Sequence, residues 1–218
     1  MSETDDRGST PRLIVDPTAA RPEDLRRISE VLKRGGVMVY PTETFYGMGG
    51  DGFSPEVVDR VFRLKRRDNL KALSLVVADT DALSRVAAGL PERLPALAEA
   101  FWPGPLTLVV RAAPSLPSAL TGGGGTVGVR VPGLPWLRAL LREAACPLIA
   151  TSANLSGESP VREGGDALSV FEGLVDLIVD GGRCPGGLPS TVLDLSAGPP
   201  RILREGAVSA ERLAPYLA

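Results

Sequence analysis

A chain of 218 residues has room for one large α/β domain or at most two small ones, and a 44% hydrophobic fraction lets it bury a core. The formal net charge of −2 provides no global basic field for bulk nucleic-acid binding, so any anion site must be a local patch. The chain contains no histidine, which excludes Ser-His-Asp and Cys-His catalysis as well as His-ligated zinc. Chemistry must therefore run on lysine, arginine, carboxylates, hydroxyls and backbone dipoles. Cys146 and Cys184 lack metal-like spacing and read as buried small hydrophobes. No apolar run approaches the ~20 residues a bilayer requires. Residues 1–11 are polar, unlike a secretion signal, which predicts a disordered leader on a cytoplasmic protein.

Leu13-Ile14-Val15 can start a strand. Pro22, then Glu23 and Asp24, then Leu25, Ile28, Val31 and Leu32 predict a helix that ends at Lys33-Arg34-Gly35-Gly36. A short buried strand over 37–40 runs into the polar stretch Pro41 to Gly47, which Pro41 and Gly47 would fix as a tight turn. Ser54-Pro55-Glu56 opens a second helix whose apolar stripe runs to Lys65, and residues 73–78 form a strand. Helices are predicted near 80–88 and 92–101, with a strand over 106–110. Gly122 to Gly125 reads as a loose loop or flexible lid, without the spacing of a nucleotide fingerprint, and precedes a strand over 126–130. There follow a helix over 134–144, a strand over 147–150, a helix near 163–172 and a strand over 175–179. Strands at 190–195 and 200–204 and a terminal helix complete the chain. Helices and strands alternate early and strands cluster late, which predicts an α/β fold built on a mixed parallel and antiparallel sheet. With no long linker and no fixed-period repeat, the predicted organisation is a leader over 1–11, one domain over 12–206 and a C-terminal helix over 207–218 packed on it.

Three polar loops leave short buried strands, where open α/β sheets hold ligands: Thr42-Glu43-Thr44, the cluster Lys65 to Lys71, and Thr151-Ser152-Ala153-Asn154. The chain has only three lysines, and two of them lie in the Lys65–Lys71 cluster beside Arg66 and Arg67. That cluster fits an anion rim and equally a charged helix end. Ser152 and Asn154 alternate, so in extended backbone both reach one side as hydrogen-bond donors facing those cations; a helix cap or Asx-turn is the other reading.

Tyr40-Pro41-Thr42-Glu43-Thr44-Phe45-Tyr46-Gly47, Lys65-Arg66-Arg67, Trp102-Pro103-Gly104-Pro105-Leu106-Thr107, Val129-Arg130-Val131-Pro132 and Thr151-Ser152-Ala153-Asn154-Leu155-Ser156-Gly157 together resemble the YrdC/YciO family. The resemblance covers roughly residues 12–206 and includes the family's KxR…SxN signature at Lys65, Arg67, Ser152 and Asn154. It implies a single-domain YrdC-like fold, a twisted mixed sheet with flanking helices and a positively charged cavity. The activity it implies is L-threonylcarbamoyladenylate synthesis from L-threonine, bicarbonate and ATP, with Mg²⁺ on the phosphates. Proteins of the TsaD, TsaB and TsaE type would then pass the threonylcarbamoyl group to adenosine 37 of tRNA.

Carried over by position, Lys65, Arg67, Ser152 and Asn154 would be catalytic. Arg67, Lys71, Thr126, Ser152, Ser159 and Arg204 would bind ATP, and Thr44, Arg130, Ala150 (through its backbone) and Ser190 would surround threonine. No residue is assigned to a metal. Val76 stands where some members carry histidine, which leaves the amino-acid specificity open. The second C-terminal domain of longer members is not expected in this chain. Two rivals remain: a non-catalytic module binding double-stranded RNA or tRNA, in line with weak RNA binding, and a YciO-branch paralogue with another substrate.

Overall fold

The computed structural model describes residues 9–66, 71–155 and 157–217. After β1 (Arg12–Ile14), α1 (Pro22–Lys33) starts with proline in its first turn, carries Glu23 and Asp24 there and ends on Lys33, the charge order that the helix dipole favours. Gly35, at φ 75°, closes it by donating to Leu32 O at 2.9 Å. β2 (Met38–Tyr40) is fully buried and turns back as β3 (Gly47–Gly49). In α2 (Pro55–Lys65) the Ser54 hydroxyl accepts from the Val57 N–H at 3.2 Å, and exposed Arg66 terminates the helix in the left-handed region.

β4 (Ser74–Val76) is followed by a single 3₁₀ segment, Asp81–Arg85, where the pattern predicts a longer helix. The chain is captured by a bridge between Ala87 and Ala112 and by the Ala88 N–H on Arg111 O, which stops helical growth. The order continues through α3 (Leu94–Phe101), β5 (Leu106–Arg111), β6 (Thr126–Arg130), α4 (Pro135–Ala144), β7 (Leu148–Ser152), α5 (Gly164–Phe171), β8 (Leu177–Asp180), β9 (Thr191–Asp194), β10 (Arg201–Arg204) and α6 (Ala210–Leu217).

The strands form one mixed ten-stranded sheet in the order β1-β8-β2-β3-β7-β4-β6-β5-β9-β10. β1 with β8, β8 with β2, β4 with β6 and β5 with β9 are parallel, and the other neighbours are antiparallel. Alternating side chains feed two cores. Val37, Val39, Leu75 and Val77 pack with α2, α3, α5 and α6, whereas Met38, Tyr40 and Val76 pack with α1 and α4. The fold is thus a single α/β domain with helices on both faces of a mixed sheet. α6 buries Leu213, and its Tyr216 ring meets Phe101 edge-on with centroids 5.3 Å apart.

β3 is absent from the expected elements because Gly47-Met48-Gly49 carries none of the branched side chains that mark strands. Gly49 is required there by close approach: a Cβ would stand 1.9 Å from Ile149 O on β7. Of the expected leader, residues 1–8 lie outside the described residues. Thr10 is buried and bonds Val175 O at 3.0 Å. Among the described residues no helix is long and apolar enough to cross a membrane.

Candidate functional site

A cavity of about 480 Å³ opens over the middle of the sheet, within the ~300–1,000 Å³ typical of small-molecule sites. Its floor comes from strand register. Ser74 of β4 lies between Gly128 of β6 and Ala150 of β7, and Gly47 of β3 pairs with Ser152 of β7. Small residues at these neighbouring positions leave empty the layer that larger side chains fill elsewhere on this face. At Gly128 a Cβ would come within 2.8 Å of Ser74 Oγ and 3.1 Å of Thr107 Cγ2. One rung further along, Val76 lies between Arg130 and Leu148 and also lines the cavity.

One wall is the loop from Thr42 to Tyr46. The Thr42 hydroxyl donates to Phe45 O at 2.6 Å and accepts the N–H groups of Thr44 and Phe45 at 3.1 and 3.3 Å, holding the loop closed on itself. Tyr40, beneath it, donates to Ile149 O at 2.9 Å, and burial pushes its hydroxyl well above the usual phenol range, so it stays protonated. On the opposite wall Arg204 donates to Ser190 O from Nε and Nη2 at 3.2 and 2.9 Å, and Ser190 Oγ lies 3.0 Å from Thr107 Oγ1. Partial burial, with the positive charge of Arg130 adding to it, lowers the basicity of the Arg204 guanidinium. Arg130 is itself only 7% exposed, and its Nη1 lies 3.1 Å from Glu43 Oε1.

The expected signature residues Lys65, Ser152 and Asn154 meet in one network. Lys65, 2% exposed at the end of α2, directs its Nζ at Ser152 O, at Asn154 O (3.0 Å) and at Asn154 Oδ1 (2.9 Å). Ser152 Oγ donates to the same Oδ1 at 2.6 Å, and Asn154 Nδ2 donates to Glu158 O at 2.6 Å. The amide orientation follows, because Oδ1 takes two donors while the NH₂ meets a carbonyl. The Ser152 proton is therefore spent inside the loop and the buried Asn154 amide turns toward Glu158 O, so the two do not form the pair of outward donors that alternation predicts. Ser152 Oγ offers the cavity an acceptor instead.

Of the expected residues, Thr44, Arg130, Ala150, Ser190, Ser152 and Arg204 line the cavity, as does Val76. Lys65 and Asn154 are buried behind it. Lys71 is exposed and precedes Ala72, which lines the cavity; exposed Ser159 likewise precedes Pro160. Thr126 lies at the start of β6, paired with Arg111 and away from Arg130, and is not a lining residue. Arg67 lies outside the described residues. Sequence reasoning missed Tyr40, Ser74 and Thr107 as lining residues and Glu43 as the carboxylate beside Arg130. The signal for Ser74 is its place in an apolar strand, where a lone small polar residue marks a face left unfilled. Cys146 and Cys184 are free thiols, pushed up to about 12 and about 11 respectively, chiefly by burial.

Residues 30–206 match the family model Sua5/YciO/YrdC, described as "Telomere recombination". The chain is 35% identical over 189 residues to the threonylcarbamoyl-AMP synthase of Pyrococcus abyssi, covering 87% of this chain and 56% of the relative. It is 32% identical over 201 residues to that of Bacillus subtilis, covering 92% and 58%. It thus spans under two thirds of the length of these curated relatives. Among solved structures it is similar to P. abyssi Sua5 complexed with L-threonine, with a TM-score of 0.91, 33% identity, and 95% and 61% of the two chains covered. It is also similar to E. coli YciO, with a TM-score of 0.85, 26% identity, and 95% and 100% covered.

Proposed function

The chain belongs to the Sua5/YciO/YrdC family, and on that footing we propose that it is an L-threonylcarbamoyladenylate synthase converting L-threonine, bicarbonate and ATP to threonylcarbamoyl-AMP and pyrophosphate. The observation that carries this reading is that Thr44, Arg130, Ala150 and Ser190 share one cavity with Ser152 and Arg204. An amino acid and a nucleotide bound in one cavity can react.

In this reading the threonine carboxylate meets Arg130, a guanidinium matched to a planar anion, and Val76 and Tyr40 enclose the side chain. The amine and bicarbonate give a carbamate with loss of water. A carbamate oxygen attacks the α-phosphorus of ATP, the α–β anhydride bond breaks and pyrophosphate leaves with the electron pair. The nucleophile is already anionic, so no general base is needed, and the protein's work is alignment and charge stabilisation. Arg204 faces the nucleotide, and Arg67 and Lys71 are the further cations assigned to its phosphates. Ser152 accepts a hydrogen bond from it, held by Asn154 and Lys65 as positioning residues. Mg²⁺ enters on the nucleotide phosphates as part of the substrate. The product would pass, in the cytoplasm, to transferase proteins of the TsaD, TsaB and TsaE type that modify adenosine 37 of tRNA, with weak direct RNA binding by this chain as a further property.

The test is pyrophosphate release with ATP, bicarbonate and Mg²⁺. Dependence on L-threonine is expected, and release indifferent to L-threonine overturns the assignment.

A further inference from the structure

Among the described residues two guanidiniums line the cavity, and they are not equivalent. Arg204 hydrogen-bonds only to neutral oxygens of Ser190 among the described residues, so its charge stands uncompensated. Arg130 has a counter-charge 3.1 Å away in Glu43. The Glu43 carboxylate is unusual in its own right. Both oxygens are buried and neither has a hydrogen-bond partner; the approach of Arg130 is close but not aligned as a hydrogen bond. A Cβ on Gly133 would lie 3.6 Å from Glu43 Cδ, which places the carboxylate against the segment entering α4. Pro135, in the first turn of α4, offers it no N–H there. A buried carboxylate is costly unless its charge is used. Glu43 does not line the cavity, so its action on a ligand runs through Arg130.

We propose that Glu43 is the positioning residue that orients bound substrates: it holds the Arg130 guanidinium in place and offsets part of its positive charge. A singly charged carboxylate is then accepted at Arg130, while phosphate groups are left to the uncompensated Arg204. Without this asymmetry a polyanionic nucleotide could place phosphate at either guanidinium of one cavity, and phosphate at Arg130 would block the amino acid. The inference rests on the preceding reading only in naming an amino acid as the carboxylate ligand. The exclusion of phosphate stands on charge and geometry alone.

The experiment is calorimetric titration of the full chain with inorganic phosphate, and separately with L-threonine in the presence of phosphate, backed by thermal melts. Glu43→Gln keeps the shape and removes the charge. It should gain one phosphate site that a further Arg130→Ala change removes, and the threonine-to-phosphate preference should fall by roughly tenfold. Glu43→Asp keeps the charge but withdraws it by one methylene. It should still exclude phosphate while binding threonine several-fold more weakly, and it serves if Glu43→Gln folds poorly. A folded Glu43→Gln protein with no added phosphate site, or a Glu43→Asp protein that binds threonine like the wild type, overturns the proposal. Wild-type protein that ignores threonine, while Glu43→Gln still gains the phosphate site, overturns the amino-acid reading and leaves the role of Glu43 in place.

Discussion

Lys65→Met separates the two tasks of the signature lysine, because methionine fills the same channel without the charge. The ammonium gives up three bonds, to Ser152 O, Asn154 O and Asn154 Oδ1. Each hydrogen bond from a charged donor is worth about 1.5–3 kcal/mol. Against this, burying an ammonium costs several kcal/mol, which methionine recovers. The terms largely offset, and the net loss should be about 2 kcal/mol, or roughly 4–8 °C in Tm for a chain of this size. Activity should suffer far more. Asn154 Oδ1 keeps only Ser152 as a donor, the 152–154 turn loosens, and a displacement near 1 Å at a reacting centre costs about 100-fold. Urea melts and pyrophosphate release on the same preparation measure both. A folded Lys65→Met enzyme within threefold of wild-type turnover would refute the brace. Lys65→Arg should be no better, since a planar fork cannot converge on three oxygens that surround a point.

Arg130→Ala should raise KM for L-threonine by about 100-fold, since a paired guanidinium–carboxylate contact contributes about 2–3 kcal/mol, while KM for ATP stays close to wild type; steady-state kinetics in each substrate distinguishes them. Gly128→Ala should cost about 1–3 kcal/mol and most of the activity, because the added methyl would press on Ser74 Oγ at 2.8 Å; pairing it with Ser74→Ala should return much of the stability, a coupling that a double-mutant cycle of urea melts detects. The pH dependence of stability should report on Asp180. Burial raises its carboxyl, but the Arg12 hydrogen bond, the Gly182 N–H, the Arg12 charge and the Tyr46 hydroxyl outweigh that and hold it below the usual carboxylate value. A depressed carboxyl stabilises the fold above its unfolded pKa of about 3.9 and loses that contribution as pH falls through the folded value. Asp180→Asn should therefore melt earlier than wild type at pH 7, and the gap should narrow below about pH 4.

Much of the architecture was legible because its signals are local. Proline and acids at the start of α1 and a serine cap on α2 fix helix boundaries whatever surrounds them. β3 was not legible, because its reason to be a strand is the backbone of β7 pressed against Gly49, a contact between residues about a hundred positions apart in the chain. The cavity floor was hidden for the same reason. Ser74, Gly128 and Ala150 are unremarkable singly and form an unfilled layer only once register sets them side by side. The pairing of Glu43 with Arg130 escaped notice because Arg130 comes from a distant strand, and within the sequence Glu43 reads as one polar residue of a loop.

The signature residues carry the sharper lesson, because residue type alone does not say which way a polar group faces. Lysine, serine and asparagine at these positions suit a phosphate cradle, yet the geometry turns Lys65 and Asn154 inward. What decides it is the length of α2. The helix ends on Lys65 itself, with Arg66 already left-handed and exposed, so the last buried position of its inner face falls on the lysine and the next cation on solvent. At that depth a compact ammonium can satisfy three oxygens from one point, while each carbonyl it meets belongs to the strand end that presents Ser152 to the cavity. In the proposed reaction the buried lysine would therefore act through the shape of β7's exit. Extending α2 by one residue ahead of Lys65 would rotate that position by about 100°, carry the ammonium out of the core, and abolish activity without removing a single signature residue. An insertion variant that stays folded and active would show that the brace is dispensable.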